Sequence, residues 1–213
     1  LKIIENYPKP HNEKTLSSFL GLTGYLVSHI RHYADLVAPL QDLRCQKKFK
    51  WEPKHDKAFE LIKKAILSAP MLNFPDINGK FAIETDASRS GVGGVLFQPK
   101  HEDEGPNANN IILMTSRKLT NSEKNYSPYK LELLGLITCL KAFHEYIWGN
   151  DDITVYTDHK PLVYLHSQAK VNVTLGMWMD TLSSYNFNII HKAGEQNILA
   201  DALSRMYEGQ TWG

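Results

Sequence analysis

Four acidic residues occupy places where a carboxylate is hard to hold. Asp86 closes the run Ile83-Glu84-Thr85, Glu132 precedes Leu133 and Leu134, Asp158 follows Val155-Tyr156-Thr157, and Asp201 lies inside Leu199-Ala200-Asp201-Ala202-Leu203. A carboxylate among apolar neighbours is costly unless it is paired, hydrogen-bonded or bound to a cation. Gathered in one place, the four would repel one another until a divalent cation neutralised them. Taken singly, each has an ordinary reading: Asp86 as a turn residue before Ala87 and Ser88, Glu132 as a favourable charge near a helix N-terminus, Asp158 as a helix cap, Asp201 as a solvated helix position. Taken together, in the order in which the surrounding strands and helices follow, the metal-site reading is the stronger.

Other chemistries have less support. Cys45 and Cys139 are far apart in sequence with no C-x-x-C, so neither a disulfide framework nor a zinc knuckle is indicated and a reducing compartment fits. His29-x-x-His32 has no second ligand pair at metal spacing. No window has the roughly 18 or more uninterrupted apolar residues of a membrane span, and the N-terminus lacks the apolar stretch of a signal peptide. Starting on Leu1 rather than Met, the chain reads as a piece of a longer polypeptide from an intracellular setting.

The elements that must position the four acids follow from periodicity. Residues 1–74 read as helical: Leu16, Phe19, Leu20, Val27 and Ile30 fall near helical spacing, and a second helix should start at Pro53 and end before Pro70. Pro70, Asn73, Pro75, Asp76, Asn78 and Gly79 form a turn-rich joint, after which the pattern becomes alternating. Phe81, Ile83 and Thr85 predict one strand, Gly91 to Phe97 a second paired with it as a hairpin, and Ile111 to Met114 a third. A long amphipathic helix should run from Tyr129 to Trp148, ended by Gly149 and Asn150. Ile153 to Thr157 predicts a fourth strand, Leu175 to Leu182 a helix, Phe187 to His191 a fifth strand, and Asn197 should cap a last helix through Arg205. This order implies an α/β fold, a mixed five-stranded sheet flanked by helices, with sites at strand ends.

Charge is divided along the chain. The 213 residues carry a net charge of +1, yet residues 1–70 hold 12 Lys/Arg against 7 Asp/Glu. Between Arg44 and Lys64 basic residues dominate, Lys47, Lys48 and Lys50 among them. Such a stripe suits a phosphate backbone through counterion release, and equally a solvated helix face.

Four blocks in fixed order make the sequence recognisable: Thr85-Asp86-Ala87-Ser88 with Gly91 to Gln98, Glu123 to Pro128 leading to Glu132-Leu133-Leu134, Thr157-Asp158-His159-Lys160-Pro161-Leu162, and Ala200-Asp201-Ala202-Leu203-Ser204-Arg205, preceded by Phe19-Leu20-Gly21-Leu22-Thr23-Gly24-Tyr25 and Phe49-Lys50-Trp51. The chain resembles the ribonuclease H domain, with the preceding reverse-transcriptase thumb or connection segment, of gypsy-type (Metaviridae) long-terminal-repeat retrotransposon polyproteins. The resemblance implies a ribonuclease H-like fold divided into a helical segment 1–74, a ribonuclease H domain 75–207 and a tail 208–213. It further implies that Asp86, Glu132, Asp158 and Asp201 are catalytic and hold two Mg²⁺ ions, with Mn²⁺ as an alternative. The expected reaction is hydrolysis of the RNA strand of an RNA–DNA hybrid, with the polymerase portion of the same polyprotein as partner, in a cytoplasmic virus-like particle or the nucleus. Lys47, Lys48, Lys50, Ser88, Tyr126, His159, Trp178 and Arg205 are the expected nucleic-acid contacts.

The sequence departs from the family at several points. Lys130 replaces a second Glu two positions before Glu132, and the helical step should turn it away from the site. Met177 replaces the usual Arg before Trp178, and Leu26 to His29 replace a basic run after Gly24-Tyr25. The polymerase's paired aspartates are absent, so this stretch alone should not polymerise. Two other readings stay open, a non-catalytic nucleic-acid-binding module and a structural connection domain; the four intact acids argue against both.

Overall fold

The computed structural model describes residues 2–26, 33–46, 48–68, 75–167 and 173–209. His29, His32, Lys47, Pro70, Asn73, the end of the helical segment at residue 74 and the last residues of the tail lie outside them. One mixed sheet is built from β1 (Phe81–Ala87), β2 (Gly91–Phe97), β3 (Ile111–Lys118), β4 (Ile153–Thr157) and β5 (Phe187–His191), in the order β3-β2-β1-β4-β5. A three-residue turn after β1 and a longer loop after β2 join antiparallel pairs, whereas β1–β4 and β4–β5 are parallel. Parallel neighbours need crossovers, and helices supply them. The helices are α1 (Lys2–Glu5), α2 (Glu13–Leu26), α3 (Tyr33–Arg44), α4 (Pro53–Ser68), α5 (Pro128–Ala142), α6 (His144–Ile147), α7 (Val173–Ser183) and α8 (Ile198–Ser204).

β1 is buried on both faces, and the period of two assigns its side chains to two different cores. Phe81 and Ile83 pack with α5 residues Leu133, Leu136 and Leu140 and with Ile153 and Val155 of β4. Ala82 faces the other way, into a cluster that also holds Val95 and Phe97, α8 residues Leu199, Ala202 and Leu203, and Leu16, Phe19, Phe59 and Ile62 of the N-terminal helices. The N-terminal helices and one face of the sheet therefore share a single apolar core.

β2 is flanked at close quarters on both sides, and adjacent glycines make this possible. A Cβ at Gly93 would lie 2.5–2.6 Å from Leu203 and the Ser204 backbone, on the α8 side. One residue on, a Cβ at Gly94 would fall onto Cys139 Sγ of α5 and within 2.7 Å of the Glu84 carbonyl oxygen. The two helices thus rest on the backbone of the strand rather than on its side chains.

Several elements differ from their sequence-based expectation. The helix expected from Tyr129 to Trp148 is two, because Phe143 leaves helical geometry (φ −101°, ψ 3°) between α5 and α6. β3 continues to Lys118, four residues past Met114, because Thr115 to Lys118 still pair with Gly94 to Gly91. α3 contains Pro39, which removes a donor and hides the helix from a sequence reading, yet Val37, Leu40 and Leu43 are buried at helical spacing. Asn197 precedes α8 but makes no side-chain cap; its Nδ2 donates instead to the Thr85 carbonyl at 3.0 Å.

Two glycine substitutions of opposite sign check this packing. Gly94→Ala should destabilise the chain by about 1–3 kcal/mol, since the Glu84 backbone cannot give way cheaply. Gly24→Ala, inside α2 with nothing within 4 Å of the added methyl, should stabilise it by roughly 0.5–1 kcal/mol. Urea titrations followed by circular dichroism measure both; an unchanged midpoint for Gly94→Ala would contradict the close approach of α5.

Candidate active site

The parallel pairing of β1 and β4 brings their C-terminal ends side by side, in a register that pairs Glu84 with Tyr156. Asp86 stands at the end of the first strand and Asp158 one residue past the second. Glu132 comes from the first turns of α5, whose start is fixed by Pro128 as first helical residue and by Ser127 Oγ, which accepts from the Lys130 N–H at 3.3 Å. One turn further, Gly135 lets α5 settle on β1, where an added Cβ would lie 3.0 Å from Thr85 Oγ1. The outcome is that oxygens of Asp86, Glu132 and Asp158 all lie within 4.8 Å of one another. Asp86 and Glu132 are buried and Asp158 is exposed, so the cluster has one open side.

Neighbouring loops set the orientation of these groups. Ser204 Oγ donates to Asp86 Oδ2 at 2.5 Å. Gly194 lies against Asp158, where an added Cβ would be 3.1 Å from Oδ2. Asp201 lies outside the converged set, and its Oδ1 accepts from Arg205 Nε at 2.6 Å, one helical turn on.

The residues expected to touch nucleic acid are placed unevenly. Tyr126 and Trp178 meet edge to face at 6.1 Å, and Lys130, turned away from the carboxylates, holds its Nζ 3.7 Å from the Tyr126 ring centre. Ser88 is buried, and its hydroxyl donates to the Ser204 carbonyl at 2.8 Å, tying the β1–β2 turn to the end of α8. His159 follows Asp158, its ring 6.0 Å from Tyr129 and its Nε2 buried without a hydrogen-bond partner. Arg205 is engaged with Asp201. Lys48 and Lys50 are exposed, Lys50 lying 3.6 Å from Glu52, and Lys47 is outside the described residues.

The electrostatics match the geometry. Burial pushes Glu132 up to about 9, helped by the charges of Asp86 and Asp158 and opposed by the Ala87 N–H. Burial likewise raises Asp86 to about 6; the Ser204 hydrogen bond and Arg205 pull it down, and Asp201 and Asp158 push it up. Glu132 Oε2 is buried with no hydrogen-bond partner. A hard divalent cation fits this set: it would give the unpartnered oxygen a ligand and remove the repulsion that raises both acids.

Residues 76–185 match the family described as the RNase H-like domain found in reverse transcriptase. The chain is 36% identical over 208 residues to the Retrovirus-related Pol polyprotein from transposon 297 of Drosophila melanogaster, which covers 97% of this chain and 19% of that one. It is 31% identical to the Pol polyprotein from transposon gypsy of the same organism, over 96% of this chain and 20% of the relative. The chain therefore spans about a fifth of the length of these curated relatives. Among solved structures, a foamy viral protease-reverse transcriptase in complex with double-stranded DNA superposes with a TM-score of 0.66 at 19% identity, over 88% of this chain and 35% of that one, a likeness of fold.

Both raised acids hold protons in the folded chain that the unfolded chain has already released. Stability without divalent cations should therefore fall as pH rises between roughly 4 and 9. Thermal melts in a chelator should show this fall, and Glu132→Gln should raise the midpoint most at the alkaline end, because it removes a charge that is hard to bury. A midpoint that climbs with pH over this window would contradict the assignment.

Proposed function

The chain belongs to the RNase H-like domain family of reverse transcriptases, and from that premise we propose that it is a metal-dependent endonuclease that hydrolyses the RNA strand of RNA–DNA hybrids within a longer retrotransposon Pol polyprotein. The observation that carries this reading is the convergence of Asp86, Glu132 and Asp158 at one end of the sheet. A domain that served only to pack against a polymerase would gain nothing from three mutually repelling carboxylates.

Asp86, Glu132 and Asp158 would hold the cations, two Mg²⁺ ions being the proposed complement, with Asp201 as fourth carboxylate. Bound there, the ions supply an activated water and charge stabilisation at the phosphodiester. The chain's own residues do the positioning. Ser204 fixes the carboxylate of Asp86 by donating to Oδ2, and the buried setting of Glu132 keeps competing hydrogen bonds away from its Oε2. Asp158, exposed, stands where substrate enters, with His159 beside it. Tyr126 and Trp178 give the sugar-phosphate edge an aromatic surface, and discrimination of RNA from DNA rests on 2′-hydroxyl contacts and groove shape. The polymerase portion of the polyprotein is the proposed partner in holding the hybrid.

The test is cleavage of an end-labelled RNA–DNA hybrid by the purified chain with Mg²⁺ or Mn²⁺. Only the RNA strand should be cut, and Asp86→Asn or Glu132→Gln should lower the rate by at least about 100-fold. A chain that binds hybrid but cuts it with neither metal is a binding module and not a nuclease.

A further inference from the structure

A groove of about 720 Å³ opens beside Glu132, and its walls come from separate parts of the chain. Lys14 reaches it from α2, Arg89 from the β1–β2 turn, Lys124 from the 3₁₀ turn at 123–125, and Arg205 and Glu208 from the turn that follows α8. Four cations thus surround a space whose far wall is a proposed metal ligand.

One carboxylate already occupies the cationic end of this groove. Glu208 Oε1 lies 2.8 Å from Lys14 Nζ, and its Oε2 lies 3.8 Å from Arg205 Nη1, buried with no hydrogen-bond partner. Arg205 is divided between two tasks: its Nε stays on Asp201 while Nη1 turns to Glu208. Arg89 is exposed and has neither a hydrogen bond nor an ion pair among the described residues. The groove is therefore an anion site filled by the chain's own side chain, with one oxygen poorly matched and one guanidinium unused. A phosphodiester also carries one negative charge but presents more acceptor oxygens, and guanidinium groups recognise it by paired hydrogen bonds.

We propose that this groove is a phosphate-binding site for the nucleic acid, in which Lys14, Arg205 and Arg89 grip a backbone phosphate that displaces Glu208, with Lys124 on the rim. Helix α2 then belongs to the substrate site, and Glu208 is an internal competitor that weakens non-productive binding. The inference rests on the nuclease reading and names where that substrate is held outside the carboxylate cluster.

Two variants should act in opposite directions. With a labelled RNA–DNA hybrid in chelator, followed by fluorescence anisotropy over a range of salt, Lys14→Gln should weaken binding roughly three- to tenfold and lower the salt slope by about 1. Lys14→Arg should bind as the parent chain does, separating lost charge from lost packing. Glu208→Gln should tighten binding by a similar factor, since the competing anion is gone. Melting curves of each variant check that the fold persists. Unchanged affinity in Lys14→Gln, or weaker binding in Glu208→Gln, overturns the groove while leaving the nuclease reading intact. Failure of the parent chain to bind hybrid at low salt also overturns the groove, while the nuclease reading stands or falls on the cleavage test with metal.

Discussion

Repulsion between carboxylates is the constraint around which the rest of this chain is arranged. Asp86, Glu132 and Asp158 offer oxygens within 4.8 Å of one another, two of them from buried side chains. The energy of such an arrangement rises as the local dielectric falls, so the groups would drift apart on any yielding support. The support here does not yield. β1 is buried on both faces, α5 is lowered onto it at Gly135, and α8 is lowered onto β2 at Gly93. Packing that leaves no room for a methyl group is what lets the fold hold charges that oppose it.

β1 also shows how the fold separates an acid with its own cation from one without. Glu84 lies two residues before Asp86, is fully buried, and is raised by that burial. It differs in having its own cation: Lys192, just past β5, pairs with it and so ties the edge of the sheet to its centre. Asp86 receives only the Ser204 hydroxyl and the more distant field of Arg205. A buried acid with a resident lysine has its counter-charge in place, whereas one held by a hydroxyl stays open to a proton or an outside cation. Cys139, the other buried ionisable group nearby, is pushed up to about 12 by burial and serves as packing between α5 and Gly94.

The sequence announces the strands and α5 because each is long enough for its period to register, and the clustered acids stand where those periods break. β1, β2, β4 and β5 lie where alternation places them, and the acids at the ends of β1 and β4 meet because the parallel register leaves no other arrangement. What stayed hidden depends on side chains choosing between partners. Asn197 has the identity of a cap, yet the Thr85 carbonyl has the stronger claim on it. Ser88 is an expected nucleic-acid contact, yet its side chain is buried and its hydroxyl closes the link to α8. The Asp201–Arg205 pair was readable from its spacing of four on a helix. The meeting of Lys14 with Glu208 was not, since no local pattern relates residues so far apart in the chain.

That last contact belongs to a wider feature of the packing. α8 carries Asp201 and Ser204 and leads into Arg205, so the geometry of the site depends on what holds α8 in place. On one side it is β2, at Gly93; on the other it is α2, where an added Cβ at Gly21 would lie 3.3 Å from Ile198. Leu199, Ala202, Leu203 and Met206 share one cluster with Leu16, Phe19 and Leu22. The boundary expected after residue 74 thus divides the chain where the apolar core does not divide. Helices that contribute no carboxylate still shape the acidic cluster, because they fix the helix from which Ser204 holds Asp86.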